Sequence, residues 1–291
     1  MGSAAPLRRR ILKGLGYALF TVAVFLLSLW WLLPYPELAL SLERQLAARG
    51  VAARIEGLGP GTFPGVRARK VRVAPLEHPA WGIDLHDARV GAPLFGLLRG
   101  SPSIGLAALT LGGELTGQVL LAGTPRTSLA WQGVDLSRLR PPPGTWELPL
   151  SGRFSGQVDA VLQPDPTQTS GRAELVFQGA RIGAGTAWGF PVPEVGLGTG
   201  RVRLSADGGK LEVESAVFED GDLGVELSGS VLLRPDASRS LVNGLLSLRP
   251  DERISRELGL LFAVFPGARG SDGRYTARIR GTLGAPRLLA R

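Results

Sequence analysis

The sequence contains no cysteine, which excludes disulfides, thiolate metal sites and cysteine nucleophiles from its 291 residues. It has two histidines, His78 and His86, and one methionine, so imidazole chemistry has little to draw on. Lysine is almost as scarce. Only Lys13, Lys70 and Lys210 stand among 33 basic residues, a skew that fits a GC-rich genome better than a need for guanidinium. The sequence has no Gly-x-Ser-x-Gly, Ser-x-x-Lys or His-Glu-x-x-His, and no basic stripe interleaved with aromatics. These absences leave no catalytic constellation to support and imply neither an enzyme, nor a metal, nor a cofactor, nor a nucleic-acid partner.

What is plentiful is glycine, at 41, and proline, at 22, alongside 44% apolar residues. That mixture points to many short strands joined by turns rather than to disorder. Net charge is +8, and Arg8, Arg9, Arg10 and Lys13 supply half of it. The rest is spread thinly over the long remainder of the chain. Attraction to anionic lipid is permitted.

Behind the basic cluster, Gly14 to Leu33 runs twenty residues without a charge. At ~1.5 Å per residue a helix of that length covers the ~30 Å hydrocarbon core of a bilayer. The expected anchor includes Leu15, Tyr17, Leu19, Phe20, Val24, Phe25, Leu27, Trp30 and Trp31, with Tyr17, Trp30, Trp31 and Tyr35 placed for interfacial aromatic belts. The positive-inside rule puts residues 1–13 in the cytoplasm and residues 34–291 across the membrane, in a single pass. A cleaved signal peptide would have a shorter apolar run and a small-x-small end, which Trp-Trp-Leu-Leu-Pro is not.

Glu37 to Arg49 reads as a juxtamembrane amphipathic helix, with Leu38, Leu42 and Leu46 at i, i+4 spacing toward the sheet and Gly50 as its stop. A membrane-surface helix is the rival reading, and the mixed signs of Glu43 and Arg44 count against it. From residue 51 onward the period is two. Strands are expected over 51–58, 66–74, 83–90, 104–111, 114–121, 155–162, 171–182, 201–205, 211–218, 222–233, 241–248 and 274–283. Pro93 to Leu98 reads as a short helical turn. Val134 to Gly144, with its triple proline, reads as a connection or seam within one β-rich domain over 51–291. Asp251 is expected to cap a helix reaching about Phe265, with Ile254, Leu258, Leu261 and Phe262 on one face.

Strands with one apolar face must hide it, and about three short helices cannot roof ten or more strands. The sheet must therefore curl into a sandwich or barrel, or remain a gutter whose apolar floor meets lipid or a partner. The candidate floor comprises Val202, Leu204, Leu211, Val213, Val225, Leu227, Val231, Leu233, Tyr275, Ala277 and Ile279. Asp84 and His86 would share a strand face, but a metal would need a further ligand, and His78 is the only other imidazole. The glycine runs at 183–185 and 196–200 read as turns or bulges rather than phosphate loops, and Glu219 to Asp222 as a hairpin tip rather than a calcium loop.

Several stretches together resemble a known family. They are the basic anchor with the helix after it, GVRARKVRV at 65–73, PLFGLLRGSPSIGLAALTL at 93–111, GVDLSRL at 133–139, LSGRFSGQVDA at 150–160 and GTLGAPRL at 281–288. The chain resembles the inner-membrane type II secretion system protein N (GspN) and, more loosely, the AsmA and TamB group of periplasmic β-groove proteins. The resemblance implies a mainly β fold, a large curved antiparallel sheet (an AsmA-like groove or half-open sandwich) with a few short helices and one N-terminal transmembrane helix. It further implies a non-enzymatic component anchored in the inner membrane, with other secretion-system subunits as partners. The AsmA relation implies instead a groove that shelters acyl chains of membrane lipid.

Overall fold

The computed structural model describes residues 17, 20–22, 24–76, 82–93, 96, 100–121, 123–139, 148–161, 163, 168–187, 190–234, 239–259, 262 and 268–290. Helix α1 spans Phe20–Trp31. The expected span was to reach Leu33, but the residue before a proline is driven out of the helical region and Pro34 follows. Leu15 and Leu19 lie outside the described residues. Among those described, no single helix is long and apolar enough to cross a membrane. Only α1 and α2 (Tyr35–Ala47), taken as a pair bent by 65°, pass that test. The Tyr35 hydroxyl donates to the Trp30 carbonyl at 2.6 Å across the bend.

Helix α2 lies against β1 (Val51–Pro60), but not by the expected stripe. Tyr35 and Ala39 are the buried side chains, and Glu43 accepts the Ile55 N–H at 2.6 Å. Leu38 and Leu42 are left exposed. The edge strand needed its outward N–H satisfied, and a carboxylate supplies what leucine cannot.

Among the described residues, fifteen strands then build one antiparallel sheet. Its order is β1, β2 (Gly65–Pro75), β3 (Ile83–Gly91), β4 (Ser103–Thr110), β5 (Gly113–Leu120), β6 (Arg126–Asp135), β7 (Leu150–Val161), β8 (Ser170–Ile182), β11 (Val195–Asp207), β12 (Lys210–Glu219), β13 (Leu223–Leu232), β14 (Leu241–Pro250) and β16 (Tyr275–Thr282). The far edge of β16 pairs with both β15 (Ala268–Arg269) and β17 (Ala285–Ala290). A separate hairpin, β9 (Gly185–Ala187) with β10 (Phe190–Val192), sits between β8 and β11. Neighbours in the sheet are almost all neighbours in sequence, so hairpins suffice as connections. At ~4.8 Å per strand the path of fourteen covers about 62 Å. Among the described residues β1 pairs only with β2 and β17 only with β16, so the sheet is open and not a barrel.

Burial falls in two patches rather than one core. One gathers Val195, Ile254, Leu258 and Phe262, with Ile182, Leu197, Leu223, Leu248 and Tyr275 around them. There the sheet from β8 to β16 bends around the helix α3 (Glu252–Glu257), whose N-terminus Asp251 caps by accepting the Ile254 N–H at 2.7 Å. The regular helix is shorter than expected, although Leu258 and Phe262 continue its buried side; Leu261 and 263–267 lie outside the described residues. The second patch joins Ala68, Ala88 and Ala108 to Ile55, Leu58, Val71 and Leu85. Among the described large apolar side chains only Ile254 and Val134 are fully buried.

Candidate functional site

Directly paired residues of an antiparallel sheet share a face, so the register traces each face strand by strand. One row reads Pro60, Val66, Val90, Leu106, Gly117, Leu129, Val158, Ala173, Leu204, Val213, Gly229, Gly244, Ile279 and Leu288. It crosses fourteen strands without a polar side chain. Beside it runs Ala108, Leu115, Trp131, Gly156, Leu175, Val202, Ala216, Leu227, Leu246 and Ala277. A third row is Val134, Phe154, Phe177, Gly200, Phe218, Val225, Leu248 and Tyr275. Together they form a continuous apolar floor.

Small residues are interspersed among large ones along these rows, and one of them lets distant strands touch. Phe177 and Phe218 sit on strands separated by β11, yet their rings are 5.3 Å apart. Gly200 lies between them, and a Cβ there would run into the Phe218 ring. Phe154 extends the stack, 6.0 Å from Phe177. Most floor side chains are only half-buried, and Ile104 on β4 is 38% exposed. Among the described helices, α2 packs on β1, α3 on the patch around Val195 and the single turn Leu136–Arg138 on β7.

The opposite face is polar. Its row from β5 reads Gln118, Ser128, Asp159, Arg172, Ser205, Glu212, Ser230, Asn243, Arg280 and Arg287. Ion pairs punctuate it: Arg274–Glu226 at 3.0 Å, Arg203–Glu174 at 3.5 Å and Lys70–Asp84 at 3.0 Å. Such exposed pairs contribute little stability each and serve mainly to keep this side in water. Asp87 takes hydrogen bonds from both Arg89 and Arg67, which hold its carboxyl below the usual aspartate range.

Of the candidate floor residues, Val202, Leu204, Leu211, Val213, Val225, Leu227, Val231, Tyr275, Ala277 and Ile279 all fall on the apolar face by register. Leu233 lies just past β13, its N–H bonded to the Gly209 carbonyl. Asp84 and His86 share the polar face, with Asp84 held by Lys70; His78 is outside the described residues. Among the described residues no three His, Asp or Glu side chains gather as a metal site. Gly196 to Gly200 lies inside β11, where the register slips twice, as bulges do. Asp222, at the hairpin tip, accepts the Gly196 N–H at 2.8 Å and Arg253 Nη2 at 2.7 Å, tying that tip to α3.

The N-terminal half of the floor, from Leu106 to Phe177, and Phe218 were not expected from the sequence. Simple alternation puts Ser215 and Val217 on the floor after Val213. A bulge between Val213 and Ala216 reverses the parity and brings Ala216 and Phe218 there instead. Set against protein-family models, curated proteins and solved structures, the chain finds no match in any of the three.

Proposed function

We propose that this chain is a non-enzymatic, membrane-anchored module whose open sheet shelters acyl chains of lipid along its apolar face. The observation that carries this reading is the fourteen-strand row without a polar side chain, on a sheet that the described helices touch only locally. Water against so much apolar surface is costly, at about 25 cal/mol per Å², and flexible hydrocarbon is the ligand that fits a long apolar floor. The anchor is the apolar run 14–33, crossing an inner membrane once, with Arg8, Arg9, Arg10 and Lys13 in the cytoplasm and the sheet in the periplasm. In support, the α1 side chains Phe20, Phe25 and Trp31 stand 66%, 64% and 72% exposed.

A photocrosslinking amino acid at Leu227, on the floor, and at Ser228, on the opposite face, tests this in cells. Lipid adducts are expected at 227 and not at 228, and equal labelling would reject the reading.

A second reading is a structural subunit of a type II secretion apparatus, as the resemblance to protein N implies. It is favoured by the outer edge of β17, whose backbone is unpaired among the described residues and offers a partner a strand to extend. Deleting the chain should then impair secretion of folded substrates or assembly of the apparatus. Normal secretion and assembly would remove this reading and leave the first standing.

A further inference from the structure

The helix α2 carries apolar side chains that the sheet does not use. Leu38 and Leu42, one turn apart, are 40% and 44% exposed on a flank beside the stripe of Tyr35, Ala39 and Glu43 that meets β1. At the bend before α2 the apolar exposure continues. Trp31 and Leu32 are 72% and 78% exposed, and Phe63, itself 39% exposed in the β1–β2 hairpin, sits edge-on to Trp30 at 5.8 Å. Exposed apolar side chains thus occur on α1, at the bend, on α2 and in the β1–β2 hairpin.

Geometry and charge both suit a lipid surface. The 65° bend sets α2 about 25° from the plane of a bilayer whose normal α1 follows. Of the mixed signs that argue against a surface helix, the structure withdraws one acid. Glu43 is turned inward to the Ile55 N–H, so the charges left exposed on α2 and just past it are Glu37, Arg44 and Arg49, a net charge of the sign that anionic headgroups attract.

We propose that α2 is an interfacial helix, its Leu38–Leu42 flank lying in the headgroup layer of an anionic bilayer and holding the edge strand β1 at the membrane surface. This rests on the reading of 14–33 as a membrane anchor. It places the first strand of the apolar floor at headgroup level, where an acyl chain leaving the bilayer would first meet it.

The absence of native cysteine allows single labels in the full chain: Leu38→Cys, Leu42→Cys, Ser41→Cys and Phe25→Cys, each carrying an environment-sensitive fluorophore. The variants are placed in nanodiscs of phosphatidylcholine and phosphatidylglycerol doped with shallow or deep nitroxide lipids. An interfacial helix buries its apolar face about 5–10 Å into the headgroup boundary. Labels at 38 and 42 should therefore lose fluorescence mainly to the shallow nitroxide, the label at 25 mainly to the deep one, and the label at 41 little to either. If 25 is quenched but 38 and 42 lose no more than 41, the interfacial helix is overturned and the anchor stands. If 25 stays in water, both are overturned.

Discussion

Replacing Ile104 by alanine should cost far less than replacing Ile254, although each change removes the same three carbons. Ile254 is 0% exposed, enclosed by Val195, Leu258 and Phe262. At about 0.8 kcal/mol per buried carbon its transfer term is about 2.4 kcal/mol, and a cavity that cannot collapse raises the loss to about 3–4 kcal/mol. Ile104 lies on the apolar floor, paired with Val119, and is 38% exposed. Roughly three-fifths of the transfer term remains, about 1.5 kcal/mol, and a site open to solvent adds no cavity term. Urea titrations of the full chain in nanodiscs, followed by far-ultraviolet circular dichroism, should show midpoints differing accordingly with unchanged slope. Losses equal to within about 0.5 kcal/mol would refute the reasoning, because the floor at Ile104 would then be as closed as the cluster at Ile254.

Gly200→Ala should destabilise by about 1–3 kcal/mol, since its methyl displaces the Phe218 ring, and Phe218→Leu in the same chain should recover part of that loss in a double-mutant cycle. Additive losses would dissolve the proposed contact. Glu43→Ala should cost about 1–3 kcal/mol by orphaning the Ile55 N–H, and amide exchange at Ile55 should accelerate more than at neighbouring β1 positions. Unchanged exchange at Ile55 would show that the carboxylate does not protect the edge. The Asp87 carboxyl is held low by Arg89 and Arg67, so its contribution is present above the ordinary aspartate value of 3.8 and is lost as pH falls through the lower, folded value. Asp87→Asn should flatten that part of the acid limb of stability, measured by urea midpoints from neutral to acidic pH, and an unaltered limb would contradict the assignment.

The two-faced character of the sheet is legible wherever strands alternate without interruption. Tyr275, Ala277 and Ile279 against Thr276, Arg278 and Arg280 is one such case, and Val225 and Leu227 against Glu226 and Ser228 is another. It becomes illegible at bulges, because one inserted residue reverses every side chain beyond it and nothing in the local composition of Glu214 and Ser215 announces the slip. Gly57 and Asp87, both at positive φ, mark the same difficulty in β1 and β3, where Ile55 and Leu58 reach one cluster despite odd spacing. Strand β6 gives no clear alternation because Ser128, Gln132 and Gly133 dilute its apolar residues, and β17 none because six residues with a proline carry little periodic signal. The stripe on α2 misleads for a different reason. A leucine repeat predicts an apolar neighbour, whereas the structure places this helix on a strand edge that wants a hydrogen-bond acceptor.

Native mass spectrometry of the full chain, released from nanodiscs made with native membrane lipid, bears most directly on the open floor. Wild-type protein should retain lipid, and Leu227→Glu, which sets a carboxylate on the floor while leaving Ile254 and its neighbours intact, should lose most of it yet remain folded. Wild-type protein released free of lipid, or a Leu227→Glu variant that retains as much as wild type, would contradict the account.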